Sequence, residues 1–161
     1  MILHSARLAL EPLGAHHTEQ VLRLCALPRV RAGAFEGRIA PQDWLRQTLQ
    51  DAPQGSLWGV RPPAEPSLIG VVGLHAAPDP YTPHMVALFD PSCWGVGYAR
   101  EAYACFWDWA RRNLNVEHVH VLLRPDHTRA MALCEALEMQ LVGVLQPNEH
   151  TRVHYRGSAR H

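Results

Sequence analysis

The chain has 161 residues and no lysine; all fifteen of its Lys/Arg positions are arginine. Without lysine there is no Gly-Lys-Ser/Thr ending for a nucleotide P-loop. Net charge is absent as well, because 15 Arg balance 15 Asp and Glu when histidines are neutral. No electrostatic argument therefore favours nucleic acid or an anionic membrane surface. Long hydrophobic runs are missing: no stretch approaches the ~18 apolar residues of a membrane span. The N-terminus, MILHSARLAL, lacks the basic leader and apolar core of a signal peptide. Cys25, Cys93, Cys105 and Cys134 are far apart with no Cys-x-x-Cys pair. That usage fits a reduced, cytoplasmic protein better than a disulfide framework. There is no Ser/His/Asp pattern and no Gly-x-Ser-x-Gly elbow. Repeats and low-complexity tracts are also absent.

Histidine, by contrast, is plentiful, with eleven. His118-x-His120 puts two rings on one face of a strand, and His16 and His17 are adjacent. No third and fourth ligand falls at a recognisable spacing, so no metal site is expected. A content of 47% hydrophobic and 19% charged residues is that of a soluble globular protein. The length predicts a single domain over 1–161 with a real core.

The most informative stretch is Met85 to Arg112. Met85-Val86-Ala87-Leu88-Phe89 has the length and content of a buried strand, ended by Asp90 and Pro91. Trp94-Gly95-Val96-Gly97-Tyr98-Ala99 then leads into a segment with apolar residues at Ala99, Ala102, Tyr103, Phe106 and Ala110, one face of a helix. A strand, a glycine turn and a helix start in this order make an anion site. The first-turn N–H groups lack intrahelical partners, and glycine lets a phosphate come close to the backbone. The dinucleotide fingerprint does not fit, since the motif reads Gly-x-Gly-x-x-Arg.

The rest of the chain divides at its prolines and glycines. Arg7 to Leu13 alternates as a first strand. Thr18 is positioned to cap a helix bearing Val21, Leu22 and Cys25, ended by Pro28. Arg29 to Ala40 has glycines and little periodicity and reads as a loop. Pro41 then opens a helix with Trp44, Leu45, Thr48 and Leu49 on one face. Ser56–Val60 and Ser67–His75 form a hairpin across a proline-rich turn, and the second strand is apolar enough to be central. Ala76 to Pro83 is loop. Val116–Leu123 is a strand, Asp126 or Thr128 caps a helix through Leu137, Leu141–Leu145 is a strand, and Thr151–Arg156 is a last short one. Gly157 to His161 reads as a frayed tail. Strands in a run, then alternating with helices, predict an α/β (α+β) architecture.

Trp94-x-x-Gly97-x-Ala99 resembles the pyrophosphate loop of the GNAT acetyltransferases. The string PSCWGVGYAREA is similar to the branch that acetylates protein N-termini, including the alanine N-termini of ribosomal proteins. Arg124 to Met139 resembles the family's second motif, and Leu141–Leu145 the strand after it. The resemblance implies a mixed, mostly antiparallel sheet of about six to seven strands with helices on both faces. It implies acetyl transfer from acetyl-CoA to a primary amine, with a protein or peptide N-terminal α-amine as the acceptor nearest the branch. Amine attack is then direct, within a ternary complex. Homodimers are common in the family. The implied cofactor-binding residues are Leu88, Phe89, Asp90, Trp94, Gly95, Val96, Gly97, Tyr98, Ala99, Arg100, His127 and Ala130. A backbone N–H near Leu88 would serve the oxyanion.

The sequence departs from the family pattern at three places. His127 stands where the family has Asn, Cys134 where many members carry a Tyr that protonates the leaving thiolate, and Glu138-Met139 where it has Gly-Phe. Cys134 is therefore the candidate acid. His84, at the start of the central strand where relatives often place Glu, is the candidate base. His75 and Glu11 are weaker ones. The three departures also motivate a rival reading, an acetyl-CoA-binding sensor without turnover. His84 lining the cleft would favour the enzyme.

Overall fold

The computed structural model describes residues 1–34, 41–51, 56–76, 80–146 and 150–158. Eight strands make one mixed sheet: β1 (Leu3–His4), β2 (Ala9–Pro12), β3 (Leu57–Arg61), β4 (Gly70–His75), β5 (His84–Phe89), β6 (His118–Leu123), β7 (Gln140–Leu145) and β8 (Arg152–Ser158). The helices are α1 (Thr18–Ala26), α2 (Pro28–Ala34), α3 (Pro41–Asp51), α4 (Tyr98–Asn113) and α5 (Thr128–Ala136). Strand order is β1-β2-β3-β4-β5-β6-β8-β7. Every neighbouring pair is antiparallel except β5 and β6, which are parallel. The expected six to seven strands become eight because β1, two residues long, is too short to leave a pattern in the sequence. Among the described residues no helix is long and apolar enough to cross a membrane.

Strand alternation divides the core into two layers. Leu8, Leu10, Trp58, Val60, Val72, Leu74 and Phe89 meet Ala102, Tyr103, Phe106 and Ala110 of α4 on one face. Leu57, Val71, Val86 and Leu88 meet Val21 and Cys25 of α1, Val30 of α2 and Leu45 of α3 on the other. The strands β4 and β5 contribute to both layers, as central strands must. Full burial of a side chain such as Phe106 stabilises the fold by roughly 1.5–3 kcal/mol.

Four local expectations are corrected. Residues 29–34, read as loop, continue the helix that Pro28 begins, because Val30 is 4% exposed and docks in the second layer; residues 35–40 lie outside the described residues. Thr18 is the first residue of α1 rather than its cap: the N-cap is His17, preceded by a single 3-10 turn. Neither Asp126 nor Thr128 caps α5, whose N-cap is His127. Of the tail read as frayed, Gly157 and Ser158 belong to β8, while 159–161 lie outside the described residues.

Candidate active site

The one parallel pairing creates the site. β5 and β6 share a single register pair, His84 opposite His120, reinforced by the His120 N–H donating to the Pro83 carbonyl at 3.0 Å. β4 holds β5 along its whole length on the other side. Beyond His84 the two parallel strands diverge, so the β6-facing peptide groups of β5 have no ladder partner. A cleft of about 220 Å³ fills the gap, bounded by Met85–Leu88 and by His120–Leu123. Trp44, His75 and His84 line it on the α3 side of the sheet, and His127 with Ala130 and Leu133 of α5 line it on the opposite side. The cleft thus passes through the sheet.

It continues as a groove along α5. A space of about 70 Å³ shares Leu88, His127, Ala130 and Leu133 with the cleft and adds Phe89, Trp94, Ala99 and Arg129. The next, about 250 Å³, runs over Gly95, Gly97, Tyr98 and Arg100 at the start of α4. Gly95 and Gly97 have φ of 86° and 83°, the left-handed region that glycine enters without strain. α4 begins with Gly97 as N-cap and no side-chain cap. Among the described residues the N–H groups of Gly95 to Arg100 have no acceptor. Six orphan donors at the positive end of a 16-residue helix make a receptor for an anion.

Charge in the groove is of one sign although the chain is neutral. Among the described residues its lining includes Arg100 and Arg129 and no carboxylate. The Arg129 guanidinium sits 3.2 Å from the Trp94 ring centroid, and that of Arg29 on α2 sits 4.4 Å from it. Burial and the charge of Arg29 lower the pKa of Arg129. Two cations held on one indole without a carboxylate leave positive potential for a ligand to neutralise. The indole is fixed by its own Nε1–H, which donates to the Phe89 carbonyl at 3.0 Å.

The turn is anchored from outside. Glu101, in the first turn of α4, accepts from the Ser5 hydroxyl and from the N–H and Nε–H of Arg7, at 2.9 and 2.8 Å. Burial raises the Glu101 pKa, but the hydrogen bonds from Ser5 and Arg7 and the Arg7 charge outweigh it and hold the carboxyl below its ordinary value.

Of the residues singled out from sequence, His84, Leu88, His127 and Ala130 line the cleft, and Phe89, Trp94, Gly95, Gly97, Tyr98, Ala99 and Arg100 line the groove. Val96 points outward, 53% exposed. The Asp90 carboxylate accepts from the N–H and hydroxyl of Ser92, both at 2.9 Å, and so caps the short turn over Pro91–Cys93. Cys134 does not line the groove and is fully buried, clustered with Val121, Leu123 and Tyr155. Burial pushes its thiol up to about 12. His75 lines the cleft on its α3 side, whereas Glu11 is paired with Arg61 at 3.2 Å, outside it.

Sequence reasoning missed Arg29, Arg129, His120 and His154 as site residues. Arg29 lay in a stretch without periodicity, and only the His118-x-His120 alternation hinted at the last pair. Among the described residues, Glu11, His16 and His17 alone bring three metal-type ligand atoms within 4.8 Å of one another. The Nδ1 of His17 already accepts the Gly14 N–H at 3.0 Å. Its neutral ring therefore carries the proton on Nε2, the nitrogen facing Glu11.

The family model described as "Acetyltransferase (GNAT) domain" matches residues 7–140. No curated protein matches the chain. Among solved structures, an acetyltransferase from Agrobacterium tumefaciens is 22% identical over 98% of this chain and 94% of its own, with a TM-score of 0.78. The ribosomal-protein-S5-alanine acetyltransferase from Vibrio fischeri is 14% identical over 99% and 97%, TM-score 0.78. A Salmonella typhimurium acetyl transferase that modifies the N-terminal serine of a 50S ribosomal subunit protein is 13% identical over 98% and 99%, TM-score 0.79. At these identities the likeness is one of fold.

Proposed function

The chain belongs to the GNAT acetyltransferase family, and on that premise we propose that it moves the acetyl group of acetyl-CoA to a protein or peptide N-terminal α-amine by direct attack in a ternary complex. The observation that carries this reading is the continuity of the anion-receiving turn with a cleft through the sheet that is lined on its α3 side by His75, His84 and His120. The groove fits an extended diphosphate-bearing thioester. Orphan N–H groups of Gly95 to Arg100, with Arg129 and Arg29, would hold the diphosphate. The open peptide edge of β5 from Met85 to Phe89 would take the amide-bearing arm.

This arrangement delivers the thioester to the splay between β5 and β6, where a cleft-facing N–H near Leu88 stabilises the developing oxyanion. The amine enters from the α3 side, past Trp44 and His75. An amine of pKa ~8–10 is mostly protonated at pH 7, so it must lose a proton before it attacks. His84 and His120 are the groups at hand. His127, the N-cap residue of α5 in the place of the family's Asn, makes no side-chain capping bond and lines the cofactor side of the cleft. Cys134 is better suited to packing than to proton donation, since its thiol is buried outside the groove.

The choice of an α-amine is supported by the PSCWGVGYAREA string and by two structural neighbours that act on ribosomal proteins. His84 lining the cleft favours turnover over a silent sensor. A cytoplasmic location fits the four free cysteines. The homodimer rests on the family alone and is read by light scattering of the purified protein.

The deciding experiment measures thiol release from acetyl-CoA against peptides, polyamines and aminoglycosides, alongside calorimetric titration of acetyl-CoA. Amine-dependent release with peptides alone supports the reading. Release with polyamines or aminoglycosides alone moves the acceptor, and binding without release on any amine overturns catalysis.

A further inference from the structure

Four imidazoles meet where β5 joins β6. His75 lies opposite His84 across β4 and β5, and His84 lies opposite His120. His154 on β8 lies opposite Leu122, two residues from His120. Strand alternation therefore places all four on the same face of the sheet, the α3 side. The His75 and His84 rings stack with centroids 5.3 Å apart. The His120 and His154 rings stack at 5.2 Å, and their Nδ1 and Nε2 atoms are 3.0 Å apart. The Tyr81 ring stands edge-on to both. His120 lines the cleft; His154, 5% exposed, sits behind it.

Two imidazole nitrogens at this distance share one proton, with one ring donating and the other accepting. When His120 donates from Nδ1, its Nε2 carries a lone pair on the far side of the ring from His154. Among the described residues that Nε2 has no hydrogen-bond partner. We propose that His120 takes the proton of the acceptor ammonium at Nε2, and that His154 is a positioning residue, accepting the His120 Nδ1–H to fix that tautomer and ring orientation. This rests on the amine-acetylation reading above and names the residue that performs its proton step.

The step balances as follows. The ammonium gives one proton to His120 Nε2, leaving a neutral amine and an imidazolium whose Nδ1–H makes a charge-assisted hydrogen bond to His154. The amine nitrogen forms the C–N bond at the thioester carbonyl. As the C–S bond breaks, the second nitrogen proton passes to the departing sulfur, giving amide and thiol. The imidazolium then loses its proton to water, so one proton is released per turnover.

The surroundings keep the pair in its basic form. Among the described residues, His84 on β5, His118 on β6 and His154 and Arg156 on β8 act on His120; Arg156 and His84 act on His154; Tyr81 and His75 stand beside them. None of these is a carboxylate. Burial first, and these neighbours second, lower the pKa of both imidazoles below the ordinary value. The lone pair on His120 is thus available at neutral pH and is lost only as pH falls below the usual histidine range. A second proton on the pair would place two cations 3.0 Å apart.

The test joins ¹⁵N-histidine NMR titration of the intact protein to pH–rate profiles of His120→Gln, His154→Leu and His154→Asn. The expected spectrum has His120 in the Nδ1–H form, with the pair taking up one proton below the usual midpoint. In turnover, His120→Gln is expected to lose roughly 100-fold in kcat. His154→Leu should lose about tenfold or more in kcat with KM unchanged and a displaced acid limb, partly restored in His154→Asn. Thiol release that survives His120→Gln, or two imidazoles titrating independently, overturns this inference alone. Absence of thiol release from the wild-type protein with every amine overturns the acetylation reading and this inference with it.

Discussion

The guanidinium of Arg129 lies 3.2 Å from the centroid of the Trp94 ring, so the first residue of the glycine turn carries a cation supplied by α5. Arg129→Ala removes that cation from the groove but leaves the turn and its N–H groups in place. A hydrogen bond to a charged group contributes about 1.5–3 kcal/mol, so acetyl-CoA affinity should fall roughly 10- to 100-fold. Calorimetric titration checks this. The gap between variant and wild type should narrow as ionic strength rises, because partly exposed charges are screened.

Gly97→Ala separates conformation from steric hindrance. A Cβ there would meet only Arg7 Nη2, at 3.5 Å, an ordinary contact. The φ of 83° is the difficulty, and forcing alanine into it costs about 1–2 kcal/mol. We expect a modest fall in thermal midpoint together with weakened acetyl-CoA binding, since the same backbone geometry aims the donors.

Gly73→Ala is expected to be far worse. The added Cβ would lie 2.0 Å from the Ser56 carbonyl oxygen, and φ is 151°. Neither β3 nor β4 can give way, both being buried central strands. A loss of roughly 3 kcal/mol or more, read by urea unfolding, follows from that overlap.

Glu101→Gln tests the anchor of the turn. The folded-state pKa of Glu101 lies below its unfolded value, so its contribution is present above the unfolded value of 4.5 and is lost as pH falls through the folded one. Unfolding free energy of the variant should therefore be lower than that of wild type near neutral pH, with the difference shrinking on acidification below 4.5. A difference that stays constant through that window would show that the ionised carboxylate is not the source.

A second acid window lies higher. His17, His120 and His154 all have folded pKa values below the ordinary histidine value of 6.5, each chiefly through burial. As pH drops through 6.5 the unfolded chain binds protons before the folded one, so stability present above 6.5 is progressively lost below it. Thermal midpoints should fall between about pH 7.5 and about pH 5.5, and His154→Leu should flatten that slope.

Much of the fold was legible because its causes are local. The apolar face of α4 follows from residues three and four apart, and the buried run of β5 from five consecutive side chains. The turn at Gly95 and Gly97 follows from the one residue type that enters the left-handed region freely. Helix α2 was not legible, since Arg29 to Ala34 has no strong face of its own. Val30 docks it, and the surface it docks on comes from other parts of the chain. β1 escaped for a related reason: a two-residue strand is defined by its pairing with β2 rather than by pattern.

The sequence by itself determined the order of the longer strands and helices and the glycine turn at the head of α4, because each depends on backbone preferences of neighbouring residues. Tertiary structure decided what stands beside that turn and inside the cleft. It turned Cys134 into the core and set Arg129 and Arg29 on Trp94. It also brought His120 against His154 across a sheet order of β6 next to β8, with β7 outside. Those contacts depend on which strands pair and where two of them part, and no local pattern of side chains states either.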